Sequence, residues 1–218
     1  MTSLTGKITI VTGASGGLGS AVVPAFERAG AIVIPADRPA HDLSTAAGAG
    51  HLIESVLAEH GRVDIAVHLI GGYTGGASIA ETDDATFDKM ILLNLRTAFN
   101  LFRAALQPMR AQGGGRLLAI GSRAAVESAP ASGVYAASKA ALVSLIRTIA
   151  AENKDRGITA NIVLPGTMDT PGNRAAMPSA DPVLWVRPAH VAAMLVNLAA
   201  ESGAGVNGAV IPIYGGDA

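Results

Sequence analysis

The sequence predicts an α/β fold, a single doubly wound parallel sheet with helices on both faces. Short apolar runs alternate with longer helical patterns along the whole chain, as in repeated strand–helix–strand units. The first run passes directly into Thr12-Gly13-Ala14-Ser15-Gly16-Gly17-Leu18-Gly19, a glycine-rich turn that opens a helix. Half of the 218 residues are hydrophobic and only 15% are charged, which suits one sizeable core rather than a disordered chain.

The elements follow in order. Lys7 to Val11 reads as a buried strand, and the helix after the glycine turn ends near Ala29-Gly30. A second strand, Ala31 to Ala36, is closed by Asp37. A helix (about 45–60), a strand (Asp64 to Ile70), a helix (about 84–110) and a strand (Arg116 to Gly121) come next. A long helix (about 132–152), a strand (Thr159 to Leu164), a helix (about 188–200) and a strand (Ala209 to Ile213) complete the pattern. Gly113-Gly114-Gly115 reads as a helix-to-strand turn, so residues 1–218 form one domain. Pro24 falls inside the first helix, where a backbone bond is lost. Pro35 falls late in the second strand and should remove a ladder donor. About eight residues separate Asp37 from the next helix, too few for an extra helix and strand, so the sheet edge beside the second strand should be trimmed.

Composition narrows the function classes. A formal charge of −1 without a basic stripe gives nucleic acid no electrostatic foothold. With no cysteine, disulfides and thiolate metal sites are excluded. His41, His51, His60, His68 and His190 form no ligand-spaced cluster, so no metal is expected. His68, in an apolar strand, reads as a hydrogen-bonded core residue. No apolar stretch has the length of a membrane span or a signal segment, and a cytoplasmic protein is expected.

Two patterns carry chemistry. Gly13, Gly17 and Gly19 permit a tight turn and close approach of a pyrophosphate to a helix N-terminus, with Ser15 and Leu18 in the same turn. Asp37, at the end of the next strand, is placed to accept hydrogen bonds from a ribose diol. Arg38 follows it and could offset repulsion of a 2′-phosphate, so NAD(H) is preferred and NADP(H) is accommodated. Tyr135 and Lys139 stand four residues apart, on one helix face. A lysine ammonium beside a phenol should pull the phenol's pKa down toward neutrality and fit it for proton exchange with a carbonyl or alcohol oxygen.

With these motifs in this order, the chain resembles the short-chain dehydrogenase/reductases over essentially its whole length. That resemblance implies a Rossmann-like domain and an oxidoreductase interconverting a carbonyl and an alcohol with NAD or NADP. The family's tetrad maps onto Asn94, Ser122, Tyr135 and Lys139. Tyr135 would be the general acid/base, Lys139 would tune it and hold the nicotinamide ribose, and Ser122 would polarise the substrate oxygen. Asn94 would hold a water linking Lys139 to solvent. The segment Pro165-Gly166-Thr167-Met168-Asp169-Thr170 matches the family's post-strand loop, in which Thr170 would fix the carboxamide. Asp42-Leu43 looks like its adenine-side pair. Thr12, Gly71 and Gly72 complete the implied cofactor contacts. Residues 170–187 would form a substrate lid, and helices 84–110 and 132–152 would pair subunits into a homodimer or homotetramer.

The chain departs from the family at His68-Leu69-Ile70-Gly71, where Asn-Asn-Ala-Gly is usual and the asparagines brace the backbone. Gly71-Gly72-Tyr73-Thr74-Gly75-Gly76 and the loop through Trp185 are similar to quinonoid dihydropteridine reductase, an NADH enzyme. Pteridine reduction is therefore one alternative, and a non-catalytic nucleotide-binding regulatory protein on the same fold is another. Tyr73, Met168, Met177 and Trp185 could wall a small-molecule substrate or simply pack the loops.

Overall fold

Strands buried on both faces are largely apolar runs rather than alternating ones. Ile8–Thr12 (β1), Ile65–His68 (β3), Gly115–Ile120 (β4) and Ile158–Pro165 (β5) are such runs, while Ile32–Ala36 (β2) and Val210–Ile213 (β6) are less covered. The computed structural model, which describes residues 3–127 and 129–217, arranges them in one parallel sheet ordered β2-β1-β3-β4-β5-β6. Neighbouring residues in each central strand feed opposite cores. Ile10, Ala66, Leu117 and Ile162 meet helices α2 (Ala46–His60), α4 (Thr97–Ala111) and α5 (Gly133–Asn153). Val11, Val67, Leu118 and Val163 meet α1 (Gly19–Arg28) and α7 (Pro188–Ala199). The chain moves outward from β1 to β2, then returns across β1 to β3. The crevice beyond the β1 and β3 ends is therefore the switch point at which such sheets bind ligands.

The trimmed edge is present, since β2 is the outermost strand. Pro35, however, removes no ladder bond. Ile32 donates to Lys7 O (2.9 Å) and Ala36 O accepts from Gly13 (3.3 Å), so residues 32, 34 and 36 face β1. The nitrogen of Pro35 points off the sheet. Pro24 lies within α1 without ending it.

The expected helix over 84–110 is three pieces. Asp83 caps α3 (Asp84–Ile91) by accepting from Thr86 N at 2.7 Å, a π-turn spans Leu92–Arg96, and α4 then continues. A π-turn widens the helix by one residue and re-aims a side chain inward, here that of Asn94. The segment Gly133–Arg156 is long and apolar enough to cross a membrane by length and composition. Its Leu142, Val143, Ile146 and Ile149 pack in the core beside β5, which accounts for that apolarity.

His68 is fully buried and joins the ends of β1 and α4, as a core histidine should. Its Nδ1 lies 3.0 Å from Thr12 Oγ1 and its Nε2 lies 3.2 Å from Thr97 Oγ1. Thr97 uses its only hydroxyl proton on Leu93 O (2.8 Å), so it accepts from Nε2–H, and Nδ1 accepts from Thr12. Burial, assisted by the charge of Lys139, pushes the imidazole pKa down to about 3. Between that value and the unfolded value near 6.5, the unfolded chain binds the extra proton, so stability falls as pH drops below about 6.5. Replacing His68 with leucine should lower stability at neutral pH by about 1–3 kcal/mol. It should also flatten the acid limb by up to ~1.4 kcal/mol per pH unit, as read by urea denaturation from pH 7 to pH 4.

Candidate active site

The glycine turn is shaped by close approach. Gly13 has φ 73°, and a Cβ there would lie 3.0 Å from Ile70 N and 3.1 Å from the Leu69 carbonyl carbon, so the exits of β1 and β3 pass in contact. A Cβ on Gly19 would collide with Ala14 O. Ser20 N donates to Gly16 O, and Ala21 N and Val22 N donate to Leu18 O, so the glycine-turn amides ahead of Ser20 are the ones that would meet a pyrophosphate. Asp37 reaches the turn from β2, its Oδ2 accepting from Ser15 N at 2.9 Å. A carboxylate fixed beside a glycine-lined helix N-terminus is the donor and acceptor set a dinucleotide needs, so these residues fit the cofactor. Leu18 is buried under the turn. The Thr12 hydroxyl faces His68, so its side chain braces the turn from beneath. Asp42 and Leu43 lead into α2: the Asp42 carboxylate accepts from Ser44 N (3.0 Å), and Leu43 is buried with its carbonyl accepting from Asn100 Nδ2 (2.9 Å). Arg38 is exposed.

Across the crevice, α5 carries Tyr135 and Lys139. Ser122, at the end of β4, accepts from Ala124 N (3.2 Å) and is hydrogen-bonded to the Tyr135 hydroxyl. Lys139 is 4% exposed, and its Nζ donates to Ile120 O at 3.0 Å. Burial pulls its pKa down to about 8. The lowered tyrosine pKa expected from the four-residue spacing is not found. Burial raises the phenol, the Ser122 hydrogen bond offsets part of that, and the neighbouring Tyr73 raises it further. The ammonium is directed to the Ile120 carbonyl, and desolvation of the phenolate prevails.

Asn94 ties the two sides together. Its Oδ1 accepts from Gly72 N (2.9 Å), while Nδ2 donates to Gly72 O (3.0 Å) and Ser138 Oγ (3.0 Å). Ser138 in turn donates to Tyr135 O at 2.7 Å. The amide assigned by resemblance to a water is thus engaged with protein on both ends. A Cβ on Gly71 would lie 3.0 Å from Asn94 Oδ1 and 3.1 Å from Lys139 Nζ, so both polar groups flank that glycine. Ser138 was missed at sequence level, although its place three residues after Tyr135, on the same helix face, was a usable signal.

Beyond β5, Pro165 pairs with Ile213, and a Cβ on Gly166 would lie 2.7 Å from Tyr214 O. Thr167 O accepts from Val186 N (2.8 Å) and Asp169 N donates to Val186 O (2.8 Å), which pins both feet of the 170–187 loop. Thr170 caps α6 (Pro171–Ala176), accepting from Asn173 N at 3.3 Å, and its side chain lies against Gly17. Trp185 is buried under this loop and Met168 packs on the core, so for both residues the packing reading holds. Arg174 is engaged with Asp169 at 2.6 and 2.9 Å.

A family model described as enoyl-(acyl carrier protein) reductase matches residues 35–217. The chain belongs to the short-chain dehydrogenase/reductase family. It is 32% identical over 191 residues to the 3-oxoacyl-[acyl-carrier-protein] reductase FabG of Salmonella typhimurium, covering 79% of this chain and 78% of that one. It is 29% identical to a D-threitol dehydrogenase of Mycolicibacterium smegmatis, covering 98% and 93%. A solved Beutenbergia cavernae structure, described as an NAD(P)-dependent gluconate 5-dehydrogenase with NADP bound, superposes with a TM-score of 0.90 at 28% identity, covering 98% and 97%. Within this dehydrogenase/reductase, His68 links the Thr12 and Thr97 side chains, and Asn94 holds both backbone groups of Gly72. Replacing Asn94 with alanine would orphan both backbone groups of Gly72. It should cost at least ~2 kcal/mol in urea denaturation, with loss of the π-turn visible as faster amide exchange over 92–96.

Proposed function

We propose that this oxidoreductase interconverts a carbonyl and an alcohol, with Tyr135 exchanging the proton and NAD(H) the preferred cofactor. The observation that carries the reading is the hydrogen-bonded Ser122–Tyr135 pair beside the buried Lys139, opening on a crevice fitted to a dinucleotide. When bound, a nicotinamide cofactor would supply or accept the hydride. The chain's own groups handle charge and position. Tyr135 Oη gives its proton to the carbonyl oxygen in reduction and takes it back in oxidation. Ser122 Oγ donates to the same oxygen and stabilises charge that develops there. Lys139, with a pKa near 8, is predominantly charged at neutral pH. Its positive field favours the phenolate that proton transfer leaves behind. Asp37 would hold the adenosine ribose, and Thr170 the carboxamide.

Titration with NADH and NADPH should show at least a tenfold preference for NADH, which corresponds to ~1.4 kcal/mol. Tighter NADPH binding would mean that Arg38 outweighs Asp37. With a panel of ketones, aldehydes and alcohols read at the nicotinamide absorbance, Tyr135→Phe should lose about 10²–10⁴-fold in kcat and keep its cofactor affinity. If the native protein turned over none of them, the non-catalytic reading would replace this one. Turnover confined to a quinonoid dihydropterin would assign pteridine reduction instead.

The exposed Phe87, Leu92 and Phe99 on the α3–α4 face support pairing of subunits through these helices. Sedimentation at micromolar concentration should show a homodimer or homotetramer. A monomer alone would overturn that assignment.

A further inference from the structure

The loop after β3 is built to hold one side chain. Gly71-Gly72-Tyr73-Thr74-Gly75-Gly76 contains nothing larger than threonine except Tyr73. The loop is fastened at both ends: Asn94 takes both backbone groups of Gly72, and Gly76 N donates to Ala131 O at 2.8 Å. Between these points the Tyr73 ring stands edge-to-face on Tyr135, with centroids 5.0 Å apart and planes at 81°. A Cβ on Gly75 would collide with Tyr73 Oη, so the glycine at that position makes room for the phenol end. Beyond Gly75 lies a cavity of about 190 Å³ that reaches to Ser132 and Val134 at the start of α5.

Despite these restraints the ring is 65% exposed. A large aromatic residue held in one place and left uncovered, in contact with the group proposed to transfer the proton, has its ordering cost met before anything binds.

We propose that Tyr73 is the specificity-determining wall of the site, and that the substrate carries a planar or alicyclic apolar body lying along its ring. The assignment rests on the carbonyl/alcohol reading above and names the substrate class for it. Tyr73 also acts on Tyr135 directly, as a neighbour whose presence raises the phenol's pKa. Aromatic contacts and the area they cover select ligands by about 1–2 kcal/mol, roughly a tenfold effect.

The test compares cyclohexanone, acetone and D-threitol as probes, with NADH or NAD. The native enzyme should favour cyclohexanone in kcat/KM. In Tyr73→Ala the cyclohexanone-to-acetone ratio should fall about tenfold, chiefly through KM, while Tyr73→Phe, which retains the ring, should keep the ratio. In the ketone reductions Tyr73→Phe should also move the alkaline limb of the pH–rate profile, where Tyr135 loses the proton it donates, to lower pH. A native preference for D-threitol over cyclohexanone, or equal losses on both ketones in Tyr73→Ala, would overturn the assignment and leave the oxidoreductase reading standing. Absence of turnover with any carbonyl or alcohol in the native protein would remove that reading, and the wall with it.

Discussion

The carboxamide of Asn94 is the contact on which the site depends. Through Gly72 it fixes the loop after β3, and through Ser138 it fixes the first turns of α5, which carry Tyr135 and Lys139. Three segments distant in sequence are thereby held at one point by a single buried group whose donors are both engaged. A helix of regular pitch would not deliver this amide. The π-turn over Leu92–Arg96 adds the residue that swings it inward. Local helix geometry is given up so that the surrounding polar groups are satisfied.

Two buried nitrogen bases respond to that environment differently. His68 is kept neutral by burial and by a threonine at each ring nitrogen. Lys139 has one carbonyl partner, Ile120 O, and stays charged at neutral pH. The charge on Lys139 is one reason His68 stays neutral. A neutral His68 under the glycine turn and a charged Lys139 are thus complementary, because both charges together in so dry a place would repel each other.

Much of this was legible in the sequence because it is written in backbone-level signals. The strand–helix alternation, the glycine turn, Asp37 at a strand end and the short stretch after it each have one strong structural solution. Asn94, Ser122, Tyr135 and Lys139 were singled out by the family resemblance, and the structure brings Ser122 to Tyr135 and both Asn94 and Lys139 to Gly71. The π-turn was not readable. Leu92-Leu93-Asn94-Leu95-Arg96 contains no Gly or Pro and continues a good helical pattern. The pKa of Tyr135 was also hidden, since spacing places Lys139 on its face but says nothing about how dry the phenol is. Tyr73 and Trp185 looked equivalent as loop aromatics. Only burial separates them, since Trp185 is buried in the loop after β5 and Tyr73 is exposed.

The orientation of Pro35 bears on how the folded chain behaves in company. An outer strand normally offers a row of donors and acceptors on which another chain can build, a route to aggregation. On β2 the outward-facing residues are Val33 and Pro35, so that row is left with one donor, beside an Ile32 that is 46% exposed. Shortening the sheet uncovered an apolar border, and a ring that cannot donate keeps that border from serving as a template for fibrous assembly.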